Sequence, residues 1–281
     1  GRHAFTRGSR SQQNAMANFH ASSSRHFTVE EEAGDDSGTL RKRKFRSRAH
    51  ANPLADPQFE YPVDPASVDW TACYPALCDA ATGVLPKPVD FADVGCGFGG
   101  LLIKLGEHFP EEISVGIEIR EKVSSYVDAR IKALRTENAG KYNNIGVVRT
   151  NAMKCITNFF PKESLSKLFF CFADPHFKTK NHRRRIINRN SLAEFAYILK
   201  PGAKLYVVTD VKELHDWQME NLDNHPSFER VPKEEEEADI SFKLIFVESE
   251  EACKVARNEG SKFGGVYRRL TREQVIAKQG A

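Results

Sequence analysis

The chain has 281 residues and a formal net charge of +3, with 40% hydrophobic and 28% charged residues. That length suits one large domain or two small ones, and the absence of any run of roughly eighteen apolar residues excludes a membrane-spanning helix. Six cysteines at 73, 78, 96, 155, 171 and 253 form no CxxC pair, which fits free thiols in a reducing compartment and gives no metal-ligand spacing.

The charge is unevenly spread. Residues 1–50 carry ten Lys/Arg against five acids, whereas residues 51–281 carry thirty-one against thirty-three. A polyanion footprint on the folded part must therefore be local. Residues 1–40 lack apolar periodicity and read as a disordered tail, because they cannot bury enough apolar surface to offset the entropy of ordering. Residues 41–88 read as a basic arm and an irregular wrapper. Arg41, Lys42, Arg43, Lys44, Arg46 and Arg48 form the arm, suited equally to a nuclear-localisation signal and to a phosphate backbone. Seven prolines between residues 52 and 90 mark the wrapper.

Residues 89–281 read as one α/β domain. Strands are expected at 89–94, 113–118, 145–149, 168–173 and 204–209, alternating with helices at 101–108, 121–136, 152–159, 183–199 and 212–221. Such alternation means right-handed βαβ units and a mostly parallel sheet with helices on both faces. Two late apolar segments, 242–247 and 265–270, suit a terminal antiparallel hairpin.

The first strand runs into Asp93-Val94-Gly95-Cys96-Gly97-Phe98-Gly99-Gly100. Glycines between a strand and a helix permit a tight turn and close ligand approach, but GxGxxG alone is a weak signal. Glu118 ends the next strand, where an acid holds ribose hydroxyls. Asp93 discriminates between cofactors: a carboxylate there would repel a pyrophosphate but attract the cationic groups of S-adenosylmethionine. Asn151 and Ala152 follow the third strand, where an adenine ring would lie, and Asn151 is equally a helix N-cap.

Asp174-Pro175-His176-Phe177 leaves the carboxyl end of the fourth strand, where open α/β sheets do chemistry. Lys178, Lys180, His182, Arg183, Arg184, Arg185 and Arg189 follow, with no acid before Glu194. That run fits phosphate contact better than a merely solvated helix face. His176 and Phe177 suit stacking on a base, or a surface His and a core Phe.

These residues resemble the tRNA (guanine-N7)-methyltransferase family, in particular its eukaryotic catalytic subunit. The resemblance runs from about Lys42 to Leu270. It rests on Arg48-Ala49-His50-Ala51-Asn52-Pro53, the glycine loop, Gly116 to Arg120, Arg149 to Met153, Asp174 to Lys178, Thr209 to Trp217, and Arg257-Asn258. It implies a Rossmann-like class I methyltransferase fold of seven strands with a C-terminal antiparallel hairpin. It implies an S-adenosylmethionine pocket of Gly95, Gly97, Glu118, Ile119, Arg120, Asn151, Ala152 and Cys171, with Asp174 in the catalytic role. His176, Lys178, Arg183, Arg184, Arg185, Ser249 and Glu251 fall on the substrate side. Ser249 keeps the hydroxyl of a family threonine, and Ala173 replaces a family proline. The resemblance further implies 7-methylguanosine formation in the tRNA variable loop, a WD-repeat non-catalytic partner subunit, no metal, and a nuclear location with a cytoplasmic pool as a second possibility. A methyltransferase acting on another RNA, a protein or a small molecule, and a non-catalytic RNA-binding protein of the same fold, are the alternatives.

Overall fold

A computed structural model of the chain describes residues 40, 42–45, 47, 51–55, 60–258 and 260–280. The expected disordered tail, apart from Leu40, and Arg41, Arg46 and residues 48–50 of the arm lie outside the described residues.

Five strands are parallel: β1 (Phe91–Val94), β2 (Ser114–Glu118), β3 (Ile145–Arg149), β4 (Leu165–Cys171) and β5 (Leu199–Thr209). Two more, β6 (Phe228–Arg230) and β7 (Phe263–Arg269), add antiparallel pairs, giving the order β3-β2-β1-β4-β5-β7-β6. Every residue of β1 and β2 is buried. Continuous burial is expected of parallel strands covered on both faces. Helices α1 (Gly100–His108), α2 (Glu121–Glu137), α3 (Ala152–Phe159), α4 (Arg189–Ile198) and α5 (Lys212–Asp223) supply those covers. Because the order runs 3-2-1 and then 4-5, the carboxyl ends of β1 and β4 form the topological switch point, where such sheets bind ligands.

Short elements complete the chain: α6 (Lys233–Ala238), α7 (Ile240–Lys243), a π turn (Leu244–Glu248), α8 (Glu250–Arg257) and α9 (Arg272–Gly280). Here two sequence expectations need correction. Residues 242–247 are helical, and β7 pairs antiparallel with β5 on one side and β6 on the other. Asp239 caps that helix by accepting from Ser241 N–H at 2.8 Å, Phe242 and Phe246 stack one turn apart at 5.2 Å, and Leu244 and Ile245 are fully buried. A short apolar run fits either period, and tertiary packing decided this one. Gly264 accommodates it: a Cβ there would lie 2.9 Å from the Val207 carbonyl and 3.3 Å from both phenyl rings. The helix expected at 183–199 is also divided. A 3₁₀ turn (Thr179–Arg184) leads into extended backbone, and Asn188 starts α4 in a capping box with Ser191.

The wrapper is tied down at both ends of the sheet. Tyr74 is fully buried and donates to the Ser114 carbonyl at 2.8 Å. Asn151, Lys154 and Asn158 along α3 donate to the carbonyls of Pro53, Ala55 and Pro62 at 2.6, 3.0 and 2.8 Å. In the arm, Phe45 packs edge-on against Tyr126 at 5.4 Å, and Lys42 lies 5.3 Å over the Phe98 ring of the glycine loop. All six cysteines are free. Among the described residues no helix is long and apolar enough to cross a membrane.

Candidate active site

A cleft of about 520 Å³ opens at the switch point. Its floor is the end of β1. Asp93 is only 1% exposed, and neither carboxylate oxygen has a hydrogen-bond partner among the described residues. Burial, and secondarily the charge of Glu118, push its carboxyl up to about 7. A dry carboxylate facing a cleft without a partner is expensive unless a cation or donor reaches it.

Next to it, Gly95 and Gly97 have φ of +75° and +54°, and a Cβ on either would meet nothing within 4 Å. Both line the cleft. Glu118 is 2% exposed and saturated: it accepts from Gly97 N–H at 3.2 Å, Arg120 N–H at 2.9 Å, and the Arg120 guanidinium at 3.0 and 2.9 Å. A sugar hydroxyl reaches this carboxylate only by displacing one of those donors, and the Arg120 side chain is the movable one. Ile119, Arg120, Ala152 and Cys171 line the same space, with Ala51 and Pro53 of the wrapper. Asn151 also lines it, but its side-chain oxygen caps α3 through Met153 N–H at 3.1 Å while its amide holds Pro53. Burial, then Asp93, push the Cys171 thiol well up, so it is no nucleophile at neutral pH.

The wall opposite is the exit of β4. Asp174 is partly exposed and accepts from His176 N–H at 3.2 Å, with His176 Nδ1 3.7 Å from its other oxygen. Phe172 and His176 flank it with φ of +52° and +44°. Left-handed backbone at two non-glycine residues is strained and persists only where its surroundings over-determine it. Beyond them Phe177 is 64% exposed, and Lys178 is exposed beside it.

The three consecutive arginines go three ways. A 3₁₀ helix turns about 120° per residue, so neighbours face different directions. Arg183 is exposed to solvent; Arg184 lines the cleft; Arg185 is 2% exposed. The expectation that Arg185 meets phosphate is therefore corrected. Its guanidinium pairs with Glu213 at 2.5 Å, donates to the Pro175 carbonyl at 2.8 Å and lies 5.1 Å over the Trp217 ring. The run after Asp174 lacks an acid in sequence, but α5 supplies one in space. Ser249 is buried and lines the cleft, and its hydroxyl caps α8 through Ala252 N–H at 3.1 Å. Glu251 belongs to that helix, but its side chain lies outside the described residues. Sequence reasoning missed the partnerless state of Asp93, the Arg120–Glu118 clamp, and Lys254 on the rim. Only Arg120 carried a signal, being next to the strand-end acid.

A family model described as a putative methyltransferase matches residues 87–264. Over 257 residues the chain is 46% identical to a tRNA (guanine-N(7)-)-methyltransferase of Candida glabrata, covering 90% of each chain. Proteins of the same name from Aedes aegypti and Zea mays are each 49% identical, over 82% and 83% of this chain and 91% and 94% of their own. The chain belongs to the tRNA (guanine-N7)-methyltransferase family. The matched region contains Asp93, Glu118 and Asp174, so the family region and the cleft coincide. A second cavity of about 850 Å³ lies at the amino ends of β2 and β3, near Ile113 and Asn144, on the edge away from these carboxylates.

Proposed function

We propose that this chain transfers the methyl group of S-adenosylmethionine to N7 of a guanine in the variable loop of tRNA. The observation that carries the reading is the juxtaposition at one switch point of a buried, partnerless Asp93 and a partly exposed Asp174, in a chain 46–49% identical to enzymes bearing that name.

The residues suit the cofactor. Asp93 offers charge to an ammonium, Gly95 and Gly97 leave the loop open, and Glu118 with Arg120 stands at the ribose position. Asn151 and Ala152 border the space for adenine, with Ile119 and Cys171 lining the remainder. When bound, the cofactor supplies an electrophilic methyl on a sulfonium sulfur.

The chain's own residues then have to present a nucleophile in line. Guanine N7 carries a free lone pair at neutral pH, so no proton has to leave it. Orientation supplies most of the rate. The product ring is cationic, and a fixed carboxylate at Asp174 stabilises the charge as it develops. Asp174 therefore orients and stabilises; it does not act as a general base. The base has to leave its stack to enter the cleft. Phe177 offers an exposed ring beside the entrance, and Lys178 and Arg183 offer charge to the flanking phosphates. His176, Arg184, Ser249 and Glu251 complete the substrate side of this reading.

The near-balanced charge of residues 51–281 favours a complex in which a WD-repeat subunit supports tRNA binding, and the basic arm favours a nuclear location, with the cytoplasm as the second one. Methyl transfer from labelled S-adenosylmethionine to unmodified tRNA, with and without that subunit, tests the reading. Label in tRNA supports it. Label in protein or small molecules alone points to a different methyltransferase, and tight tRNA binding without cofactor affinity points to a non-catalytic RNA binder.

A further inference from the structure

Arg185 is the most thoroughly buried cation of the basic run, and nothing in the methyl-transfer chemistry uses it directly. Three contacts fix it: Nη2 to Glu213 Oε1 at 2.5 Å, the guanidinium carbon 5.1 Å from the Trp217 ring centre, and Nε to the Pro175 carbonyl at 2.8 Å. The first two belong to α5, a rigid element docked on the sheet. The third belongs to the residue directly after Asp174. Trp217 itself is fixed by donating to the Ile187 carbonyl at 2.7 Å, and the Arg185 carbonyl accepts from Asn188 at 2.9 Å. The guanidinium thus bridges α5 to the one segment whose backbone is left-handed on both sides of the reactive carboxylate, at Phe172 and His176. A loop held in that conformation needs an external restraint. A two-pronged planar cation with a charged partner behind it supplies one that a lysine cannot reproduce.

We propose that Arg185 is a positioning residue for methyl transfer, holding the Asp174 loop through the Pro175 carbonyl with Glu213 and Trp217 as its mount. This rests on the reading of Asp174 as the site of reaction. It separates Arg185 from its neighbours in the run: Arg183 faces outward, and Arg185 serves geometry.

The test is Arg185→Lys, compared with the unaltered chain in the same tRNA methylation assay and with the partner subunit present. The ammonium keeps the charge beside Glu213 but loses the Nε donor and the planar fork. The expected result is a fall in kcat of about tenfold or more, since small misplacements cost up to about a hundredfold. The Kd values for S-adenosylmethionine and tRNA stay within about twofold, and the salt slope of tRNA binding is unaltered. Glu213→Gln, at a half-exposed position, lowers kcat several-fold in the same direction through the weakened mount. Weaker tRNA binding with a shallower salt slope and an unchanged kcat would overturn the proposal in favour of phosphate contact. A lowered Tm with kcat retained would overturn it in favour of a purely structural ion pair. Absence of tRNA methylation by the unaltered chain would instead reject the functional reading beneath it.

Discussion

Asp93 and Glu118 are two buried carboxylates facing one cleft, and of the pair only Glu118 has hydrogen-bond partners among the described residues. Arg120 and Gly97 satisfy Glu118 in full, so of the two it is Asp93 whose carboxyl is left for a ligand to meet. A site built this way is prepared for a cationic ligand.

Proton linkage at Asp93 follows directly. The folded chain keeps this proton up to about 7, whereas the ordinary carboxylate value is 3.8. The native state therefore binds more protons than the unfolded state between those values, and the stability contributed by Asp93 falls as pH rises from about 4 to about 7. A cationic cofactor favours the ionised form, so its binding at pH 6 should release a proton and tighten as pH rises through 7. Calorimetry in buffers of different ionisation enthalpy should detect the proton in the parent chain and not in Asp93→Asn. Equal heats in all buffers for the parent would contradict the assignment.

Glu118→Ala should weaken S-adenosylmethionine about 10- to 100-fold, as expected for loss of a charged hydrogen-bonding group worth about 1.5–3 kcal/mol. The substitution also frees Arg120, so part of the loss comes from disorder of the loop. An unaltered Kd by titration would place the ribose elsewhere.

Arg183→Ala should weaken tRNA binding and reduce the salt slope by about one. Fluorescence titration across a salt series measures both. A slope equal to the parent's would mean that this exposed side chain meets no phosphate.

Stability is sensitive to packing where β7 meets the late helix. Gly264→Ala would put a methyl 2.9 Å from the Val207 carbonyl, with both phenylalanine rings at 3.3 Å. Over-packing of this kind costs about 1–3 kcal/mol, so Tm should fall by several degrees. A Tm equal to the parent's would mean that Phe242 and Phe246 can withdraw from β7.

The parallel half of the fold was legible because its signals are local. β1 to β3 follow from short, mostly apolar runs that close at Val94, Glu118 and Arg149, and the glycine turn marks its own helix. The carboxyl-edge carboxylates follow from the same placement, since a strand end determines which edge its last residue occupies. What could not be read is set across the fold. Nothing near Arg185 in sequence announces Glu213, twenty-eight residues away, and a basic run without acids looks exposed until α5 packs beside it. Residues 242–247 have an apolar run that serves helix or strand, and packing against other elements decides it, with Gly264 leaving room for both phenyl rings. Phe45 lies among the charges of the arm, and only the fold shows its ring packed against Tyr126 beside the glycine loop.

The most direct test maps the methylated atom in tRNA by borohydride–aniline cleavage, using the parent chain and Asp174→Asn with the proposed WD-repeat subunit present. Cleavage at a single variable-loop guanine is expected from the parent. The variant should lose about 100-fold or more of that signal while binding S-adenosylmethionine as tightly, the scale of losing one preorganised electrostatic group. Cleavage at another position, or a variant as active as the parent, would contradict the account.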